Sequence, residues 1–227
     1  MIRAEPWKDL GFVFYSVCKS LASAAVISLT GVRHFNVPDL SRLGGVLIAA
    51  NHQSYLDPVL VGMPFFERVD YLAREGLFRV PGFGQLIRAV GSHPVKRGVA
   101  DSAALRTVFR ILRSGRPLLM FPEGTRTRDG SLGRFSPGVG AIAVRVGAPV
   151  LPACIEGAFR CWPRTRALPV PARAAVAFGE PIRPEGVDGR ALTAALTEQV
   201  AELQRFLRCY LGGQGCDAFR GACRAEQ

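Results

Sequence analysis

Short apolar runs alternate with helix-forming segments along the chain, and this alternation limits the possible folds more than any other feature of the sequence. The predicted strands are 45–50, 69–73, 91–97, 117–121, 150–155 and 174–178. Helical patterns cover 83–90, 101–114, 139–146 and 188–211, and a further one starts at Pro58. Strands separated by helices usually join one sheet in parallel. The sequence therefore predicts an α/β fold, a single layered domain with a largely parallel or mixed central sheet flanked by helices.

Of the predicted helices, 101–114 has the clearest start signal and apolar stripe. Asp101 is a typical N-cap residue, because its side chain can accept hydrogen bonds from free backbone N–H groups. Leu105, Val108, Phe109 and Leu112 follow at the spacing of one helix face. This helix is expected to pack that face against the sheet.

The N-terminal stretch 10–29 is apolar apart from Lys19 and several serines, and it is nearly long enough to cross a bilayer. A helix lying in the membrane interface tolerates Lys19, whose long side chain can reach the headgroups, and we rank this interpretation first. A core helix, a single span and a signal peptide follow in that order. We predict a membrane-associating segment 1–33, a domain 34–211 and a tail 212–227.

The net charge of +11 and the pI near 10.1 favour anionic partners, although an arginine-rich genome composition explains them equally well. No aromatic-rich basic motif suggests nucleic-acid binding, so we expect none. The six cysteines form no C-x-x-C pair, and the histidines complete no zinc spacing with them. We therefore predict unpaired thiols, a reducing compartment and no metal.

The stretch NHQSYLD, residues 51–57, follows a predicted strand and contains a candidate base. His52 and Asp57 are five residues apart, so one helix face would not bring them together, whereas a turn followed by a helix start would. A carboxylate bound to one imidazole nitrogen makes the other more basic. The simpler interpretation is that Asp57 is the N-cap and Pro58 the N1 residue of the next helix. His93 is a rival base.

A candidate anion site lies in FPEGTRTRDG, residues 121–130, directly after another predicted strand. Gly124 allows close approach of the backbone to a ligand, and arginine forks match phosphate oxygens. Lys96 and Arg97 end another predicted strand and would add positive charge. A polar surface turn is the alternative. The sequence contains no G-x-S-x-G elbow, P-loop or G-x-G-x-x-G motif.

Four blocks together resemble the glycerolipid acyltransferase family that acylates lysophosphatidic acid. That family's pattern is N-H-x4-D, G-x-x-P-x-x-R, F-P-E-G-T-R-S and a V-x-P strand. The blocks of this chain are Asn51-His52 to Asp57, Gly91 to Arg97, Phe121 to Thr127, and Val150-Leu151-Pro152. They occur in the same order, and the resemblance runs from about residue 34 to residue 208.

The resemblance implies specific roles for these residues. His52 would deprotonate the acceptor hydroxyl while Asp57 orients it, and Pro152 would border the acyl-donor site. The glycerol phosphate would be held by Arg97, Glu123, Gly124, Thr125 and Arg126. The implied reaction moves a fatty acyl group from acyl-CoA or acyl-carrier protein, as co-substrate and without a cofactor, to 1-acylglycerol 3-phosphate, giving phosphatidic acid.

The resemblance also implies membrane lipids and a lyso-phospholipid acceptor as partners, at the cytoplasmic face of the membrane. Two alternatives stay open at this point. One is an enzyme of the same family that acts on another lyso-lipid, such as an aminoacyl lyso-lipid. The other is a non-catalytic lipid-binding module at the membrane surface.

Overall fold

One sheet of seven strands organises the part of the chain that the computed structural model describes, residues 6–96 and 101–213. Their spatial order is β1-β7-β6-β2-β5-β3-β4. The strands are β1 Arg33–Phe35, β2 Leu47–Ala50, β3 Asp70–Arg74, β4 Ser92–Val95, β5 Leu118–Met120, β6 Val150–Glu156 and β7 Ala175–Phe178. The helices are α1 Pro6–Thr30, α2 Asp57–Gly62, α3 Phe83–Ala89, α4 Ser102–Arg113, α5 Gly138–Val146, α6 Ala158–Cys161 and α7 Gly189–Leu211.

Five neighbouring strands, β6, β2, β5, β3 and β4, run parallel to one another, and β7 runs antiparallel to β6. β1 pairs in parallel with β7, so these two strands share the reversed direction. The sheet is therefore mixed, which confirms the predicted fold class. The sequence did not predict β1, because three residues are too few to show a strand period.

The sheet is covered on both faces, as its short apolar strands require. In β2, Leu47 and Ala49 face one hydrophobic cluster while Ile48 and Ala50 face another. The first cluster is closed by α4, α5 and α7, and the second by α1, α2 and α6. All four strand residues are fully buried, so β2 is the central strand of the layered domain.

Asp101 is confirmed as the N-cap of α4. Its carboxylate accepts hydrogen bonds from the backbone N–H groups of Ala103 at 3.1 Å and Ala104 at 3.0 Å. Asp188 caps α7 in the same way, through Arg190 and Ala191. Both helices then bury one apolar stripe against the sheet, as their sequence periods indicate.

α1 packs along the outside of the domain through a narrow stripe that includes Tyr15, Val26 and Thr30. The segment Val13–Thr30 is long and apolar enough to cross a membrane, yet only 17% of it is buried, so the core-helix alternative is wrong. This largely exposed apolar helix indicates membrane association.

The expected position of the Lys19 side chain is also wrong. Its ammonium group donates to the carbonyl oxygen of Phe65, in the loop after α2, and does not reach outward to headgroups. The inward direction follows from the helix period, because Lys19 lies four residues after the buried Tyr15. As a result, the one charge of residues 10–30 is absent from the outer face of α1.

The division into 1–33, 34–211 and 212–227 stays a prediction. β1 begins at Arg33, close to the first boundary. α7 ends at Leu211, and most of the predicted tail, residues 214–227, lies outside the described residues.

Candidate active site

Asn51 holds the end of β2 against β6 at the point where the ladder stops. The last paired residues are Ala50 and Ala153. Beyond them, Asn51 Nδ2 donates to the carbonyl oxygen of Ile155 at 2.9 Å, and Asn51 Oδ1 accepts from the Ile155 N–H at 2.7 Å. The side-chain amide thus takes the place of a peptide group, and the main chain is free to turn away at His52.

His52 and Asp57 form a close pair across this turn. His52 Nδ1 lies 2.8 Å from Asp57 Oδ2, and the Asp57 side chain is fully buried. The same oxygen accepts the backbone N–H groups of Gln53 at 2.6 Å and Ser54 at 2.7 Å. An ionised carboxylate held in this way fixes the imidazole with its proton on Nδ1, which leaves Nε2 as the acceptor in the neutral ring.

The predicted capping role of Asp57 is wrong. Leu56 is the N-cap residue of α2, and Asp57 is the first residue of the helix, followed by Pro58. Its side chain makes no capping hydrogen bond to α2 and binds the preceding turn instead. The carboxylate therefore stabilises the turn of residues 52–54 and does not cap the helix.

The imidazole of His52 is stacked on an aromatic wall. Its ring lies 4.0 Å from the Phe121 ring, with an angle of 12° between the planes. The backbone of His52 is fixed as well, because its N–H donates to Glu123 and its carbonyl oxygen accepts the Thr127 N–H at 2.8 Å. Nε2 has no hydrogen-bond partner among the described residues.

Gln53 is a buried residue of the site that sequence reasoning missed. Its Nε2 donates to the carbonyl oxygen of Gly130 at 3.2 Å and lies 3.4 Å from Glu156 Oε2, while its Oε1 accepts the Phe159 N–H. It thereby joins the His52 turn to the loop after β5 and to the end of β6. A glutamine beside a histidine carries no signal for such a role in one sequence.

Glu123 is bound from two sides by backbone N–H groups. His52 N–H donates to Glu123 Oε1 at 3.1 Å, and Gly133 N–H donates to the same carboxyl group. A Cβ atom at Gly133 would lie 2.6 Å from Glu123 Oε2, so a larger residue there would displace the carboxyl group. Burial nevertheless raises the pKa of Glu123 to about 7.

This raised pKa gives a pH-dependent prediction for stability. The folded protein keeps the Glu123 proton up to about pH 7, whereas the unfolded chain releases it near pH 4.5. As pH rises between these two values, the unfolded state is increasingly favoured, so the contribution of Glu123 to the free energy of unfolding decreases. Above about pH 7 this contribution no longer changes with pH. We expect the wild-type Tm to fall relative to that of Glu123→Gln between about pH 5 and pH 7.

Thermal unfolding at several pH values measures this difference. Glu185→Gln, which changes an exposed carboxyl group, is the control and should follow the wild-type curve. Parallel curves for wild type and Glu123→Gln would contradict the raised pKa.

Arg126 is stacked on an aromatic ring that itself packs against a second one. Its guanidinium carbon lies 3.4 Å above the centre of the Tyr55 ring, and the Tyr55 ring lies 5.1 Å from that of Trp162. Among the described residues, no carboxylate forms an ion pair with Arg126. The guanidinium edge is therefore available to an anionic ligand close to the His52 turn. Sequence reasoning does not find this stacking, because a tyrosine between His52 and Asp57 carries no signal for a contact with Arg126.

Of the remaining predicted site residues, some lie next to the His52 turn and others do not. Gly124, with φ of +68°, and Thr125 form the exposed part of the turn between Glu123 and Arg126. Pro152 is buried inside β6 opposite Ala49, so the structure does not bring it to the His52 turn. Arg97 lies outside the described residues.

His93 is far from this site. It follows the first residue of β4 and contacts Asp70, the first residue of β3, at 2.7 Å. β3 and β4 begin at the edge of the sheet opposite to the edge where β2 ends. Arg116 lies 2.9 Å from the other oxygen of Asp70. His93 thus belongs to a separate charged cluster and does not compete with His52 for the site.

No group of three or more His, Cys, Asp or Glu residues within the described ranges could hold a metal ion. The described cysteines are free thiols: Cys18, Cys154, Cys161 and Cys209. The site offers an imidazole with a free nitrogen and a nearby guanidinium. Such a set of groups can remove a proton beside a bound anion.

The chain is similar to acyltransferases in sequence. The family model described as Acyltransferase matches residues 32–156. A chloroplastic 1-acyl-sn-glycerol-3-phosphate acyltransferase of Brassica napus is 32% identical over 116 residues, which are 50% of this chain and 33% of that protein. The 1-acyl-sn-glycerol-3-phosphate acyltransferase of Pseudomonas aeruginosa is 30% identical over 168 residues, covering 69% of this chain and 64% of the relative. The chain thus spans between a third and two thirds of these relatives.

A solved structure resembles the whole arrangement. It is the crystal structure of the 1-acyl-sn-glycerophosphate (LPA) acyltransferase PlsC from Thermotoga maritima, with a TM-score of 0.76 and 27% sequence identity. The match covers 89% of this chain and 82% of that one. The matched residues 32–156 include the His52–Asp57 pair and the turn from Glu123 to Arg126. The chain therefore belongs to the acyltransferase family.

Proposed function

We propose that the protein is a 1-acylglycerol-3-phosphate O-acyltransferase. It transfers a fatty acyl group from acyl-CoA or acyl-carrier protein to the free hydroxyl of 1-acylglycerol 3-phosphate and so makes phosphatidic acid for phospholipid biosynthesis. The observation that carries this proposal is the His52–Asp57 pair, with Nδ1 to Oδ2 at 2.8 Å and Nε2 unpartnered among the described residues. The names of the relatives in Brassica napus and Pseudomonas aeruginosa support it.

In the proposed reaction, Nε2 of His52 takes the proton of the acceptor hydroxyl as the hydroxyl oxygen attacks the thioester carbonyl carbon. The new ester C–O bond forms and the C–S bond breaks, and the imidazolium returns its proton to the leaving thiolate. Asp57 stabilises the imidazolium between these two steps. A positioned base of this kind contributes about 10² to 10⁴ in rate.

The surroundings of His52 favour direct attack over a covalent acyl-enzyme. The Ser54 hydroxyl donates to the carbonyl oxygen of Trp162 at 2.9 Å rather than to His52. Cys154 is fully buried, and burial raises the pKa of its thiol well above the usual value. Neither side chain is therefore suited to act as an activated nucleophile.

We assign the acceptor phosphate to Arg126 and the exposed Gly124-Thr125 turn beside it. The guanidinium can bind phosphate oxygens in a bidentate manner, and no described carboxylate competes for it. Glu123 holds this turn against the backbone of His52, so a bound phosphate and the base belong to one rigid unit. Arg97 is proposed to add a second positive charge, and Pro152 to border the acyl-donor site.

We further propose that α1 lies in the membrane interface at the cytoplasmic face. Its outer face is apolar and carries no charge between residues 10 and 30, while its inner stripe packs on α2, α3 and α6. The acceptor and the product are both amphiphiles that stay in the bilayer. An enzyme bound at the surface can take up the acceptor without extracting it into water.

The direct test is thiol release from acyl-CoA and from acyl-carrier protein, with and without 1-acylglycerol 3-phosphate. We expect release that depends on the acceptor, with phosphatidic acid as the product. Lysophosphatidylcholine and an aminoacyl lyso-lipid complete the panel of acceptors. Faster turnover with one of these would reassign the acceptor, whereas binding to vesicles without turnover of any acceptor would contradict the proposed activity.

The stack of Arg126 on Tyr55 predicts a change in substrate binding rather than in chemistry. In Tyr55→Leu the guanidinium loses its aromatic support, and we expect KM for 1-acylglycerol 3-phosphate to rise about 3- to 10-fold with little change in kcat. Tyr55→Phe keeps the ring and should keep the wild-type KM. Steady-state kinetics at saturating acyl donor measures both values, and an equal KM for the Leu and Phe variants would contradict the positioning role.

A further inference from the structure

The segment between α6 and β7, residues 162–174, is an exposed loop rich in arginine and apolar side chains. It contains Arg164, Arg166 and Arg173, and no acidic residue occurs between Glu156 and Glu180. Leu168 is 74% exposed and Val170 is 38% exposed. We call residues 162–174 the α6–β7 loop. A surface that shows leucine and arginine side by side is suited to a partner that is both apolar and anionic.

The α6–β7 loop is bound to the C-terminal end of α1. The N–H groups of Ala172 and Ala174 donate to the carbonyl oxygens of Leu29 at 3.2 Å and Thr30 at 3.3 Å. α6 also packs against α1. The exposed side chains of the loop and of the end of α1 therefore lie on adjacent parts of the surface.

The outer face of α1 continues this surface. Its large apolar side chains are 46% to 68% exposed, namely Val13, Phe14, Val17, Leu21 and Ile27. Between residues 13 and 27 this face carries no cation, because Lys19 is turned inward to the carbonyl oxygen of Phe65. The α6–β7 loop supplies the arginines that the face of α1 lacks.

We propose that the α6–β7 loop is a second membrane contact, which binds an anionic lipid bilayer next to α1. Leu168 and Val170 enter the headgroup region, and the guanidinium groups of Arg164 and Arg166 bind lipid phosphates. The charge of the loop favours a bilayer as the partner, because its arginines have no acidic residue beside them in the sequence and so match a continuous anionic surface. Each arginine near such a surface strengthens binding about fivefold.

The same loop is joined to the His52 turn. The Tyr55 N–H and the Ser54 hydroxyl both donate to the carbonyl oxygen of Trp162, at 3.3 Å and 2.9 Å. Docking of the loop thus places the proposed phosphate site at Arg126 in the headgroup layer, where the acceptor phosphate lies. This last step rests on the proposed function, whereas membrane binding by the loop does not.

The first experiment measures binding of the full chain to vesicles by flotation. Vesicles of phosphatidylcholine alone are compared with vesicles that contain phosphatidylglycerol. For Arg164→Gln/Arg166→Gln we expect binding to the anionic vesicles to weaken about tenfold or more. Binding to the neutral vesicles should change little.

The matched control, Arg183→Gln/Arg190→Gln, removes the same charge from the far edge of the sheet. Arg183 follows Ile182, which bridges to Val150 at the start of β6, and Arg190 lies in the first turn of α7. We expect this control to bind like the wild type. Equal weakening by both double variants would show that only the total charge attracts the protein to the vesicles. If neither double variant bound more weakly, the proposed contact between the loop and the bilayer would be wrong.

The second experiment tests apolar insertion. Leu168→Trp is introduced together with Trp7→Phe, and its fluorescence is compared with that of Trp7→Phe alone in vesicles of brominated lipid. We expect additional quenching from the tryptophan at position 168. An absence of additional quenching would contradict the insertion of the loop. Turnover of acceptor dispersed in detergent should stay near the wild-type rate in all loop variants, so failure of docking and failure of the proposed activity give different results.

Discussion

Replacing His52 with alanine is expected to lower kcat for acyl transfer by about 10³-fold, with a smaller change in KM. The variant lacks the imidazole paired with Asp57, while Asp57 can still accept the N–H groups of Gln53 and Ser54. The fold of the turn should therefore survive, and the loss should lie in the chemical step. Steady-state kinetics with 1-acylglycerol 3-phosphate and acyl-CoA measures it.

His93→Ala is the matched control for this experiment. His93 also lies against a buried aspartate, at 2.7 Å from Asp70, but at the opposite edge of the sheet. We expect His93→Ala to keep a kcat near the wild-type value. Full activity of His52→Ala, or an equal loss in both variants, would contradict the assignment of His52 as the base.

Replacing Asp57 with alanine is expected to reduce both stability and activity. One buried oxygen of Asp57 accepts from the N–H groups of Gln53 and Ser54 and lies 2.8 Å from His52 Nδ1. In the alanine variant all three groups lose this acceptor. Buried donors without an acceptor cost about 1–3 kcal/mol each, so we expect the free energy of unfolding to fall by about 3 kcal/mol. For a chain of this size, that corresponds to a decrease in Tm of about 6–12 °C.

Asp57→Asn separates the two effects. The amide oxygen can still accept the backbone N–H groups, but the negative charge that stabilises the imidazolium is lost. We expect Asp57→Asn to recover most of the Tm while kcat stays low. Recovery of both would show that the carboxylate only holds the turn together.

Asp101→Ala is the control for stability. The Asp101 carboxylate accepts three backbone N–H groups, those of Lys96, Ala103 and Ala104, but it is open to solvent. Water can replace it there, so we expect a smaller decrease in Tm than for Asp57→Ala. A larger decrease for Asp101→Ala would contradict the importance of burial at Asp57.

The sequence predicted the parts of the fold that depend on period and local composition. Six of the seven described strands were predicted, most of them from short apolar runs, and the N-cap of α4 follows from Asp101 and the stripe after it. β1 was missed because its pairing with β7 is a tertiary contact between residues far apart in the chain. The local pattern of three residues contains no information about such a partner.

The candidate site was only partly visible for a similar reason. The sequence placed a histidine and an aspartate on one turn, and the structure brings them to 2.8 Å. It did not show that Asp57 binds upstream N–H groups instead of capping α2, because both uses require the same residue at the same place. The contacts of Gln53 and the stacking of Arg126 on Tyr55 join segments 77 and 71 residues apart, and a single sequence does not record such contacts.

The reversal of β7 relative to β6 has a further consequence. Because β7 runs back, the chain leaves β6 and enters β7 at the same edge of the sheet, with Glu156 opposite Ala175. The α6–β7 loop is therefore a long hairpin connection rather than a crossover, and neither of its ends is tied to the far side of the molecule. Insertions or deletions between Trp162 and Ala172 would change the rim of the active site without shifting the register of any strand. Within this architecture, the loop is the segment where lipid preference can diverge at the least cost to the fold.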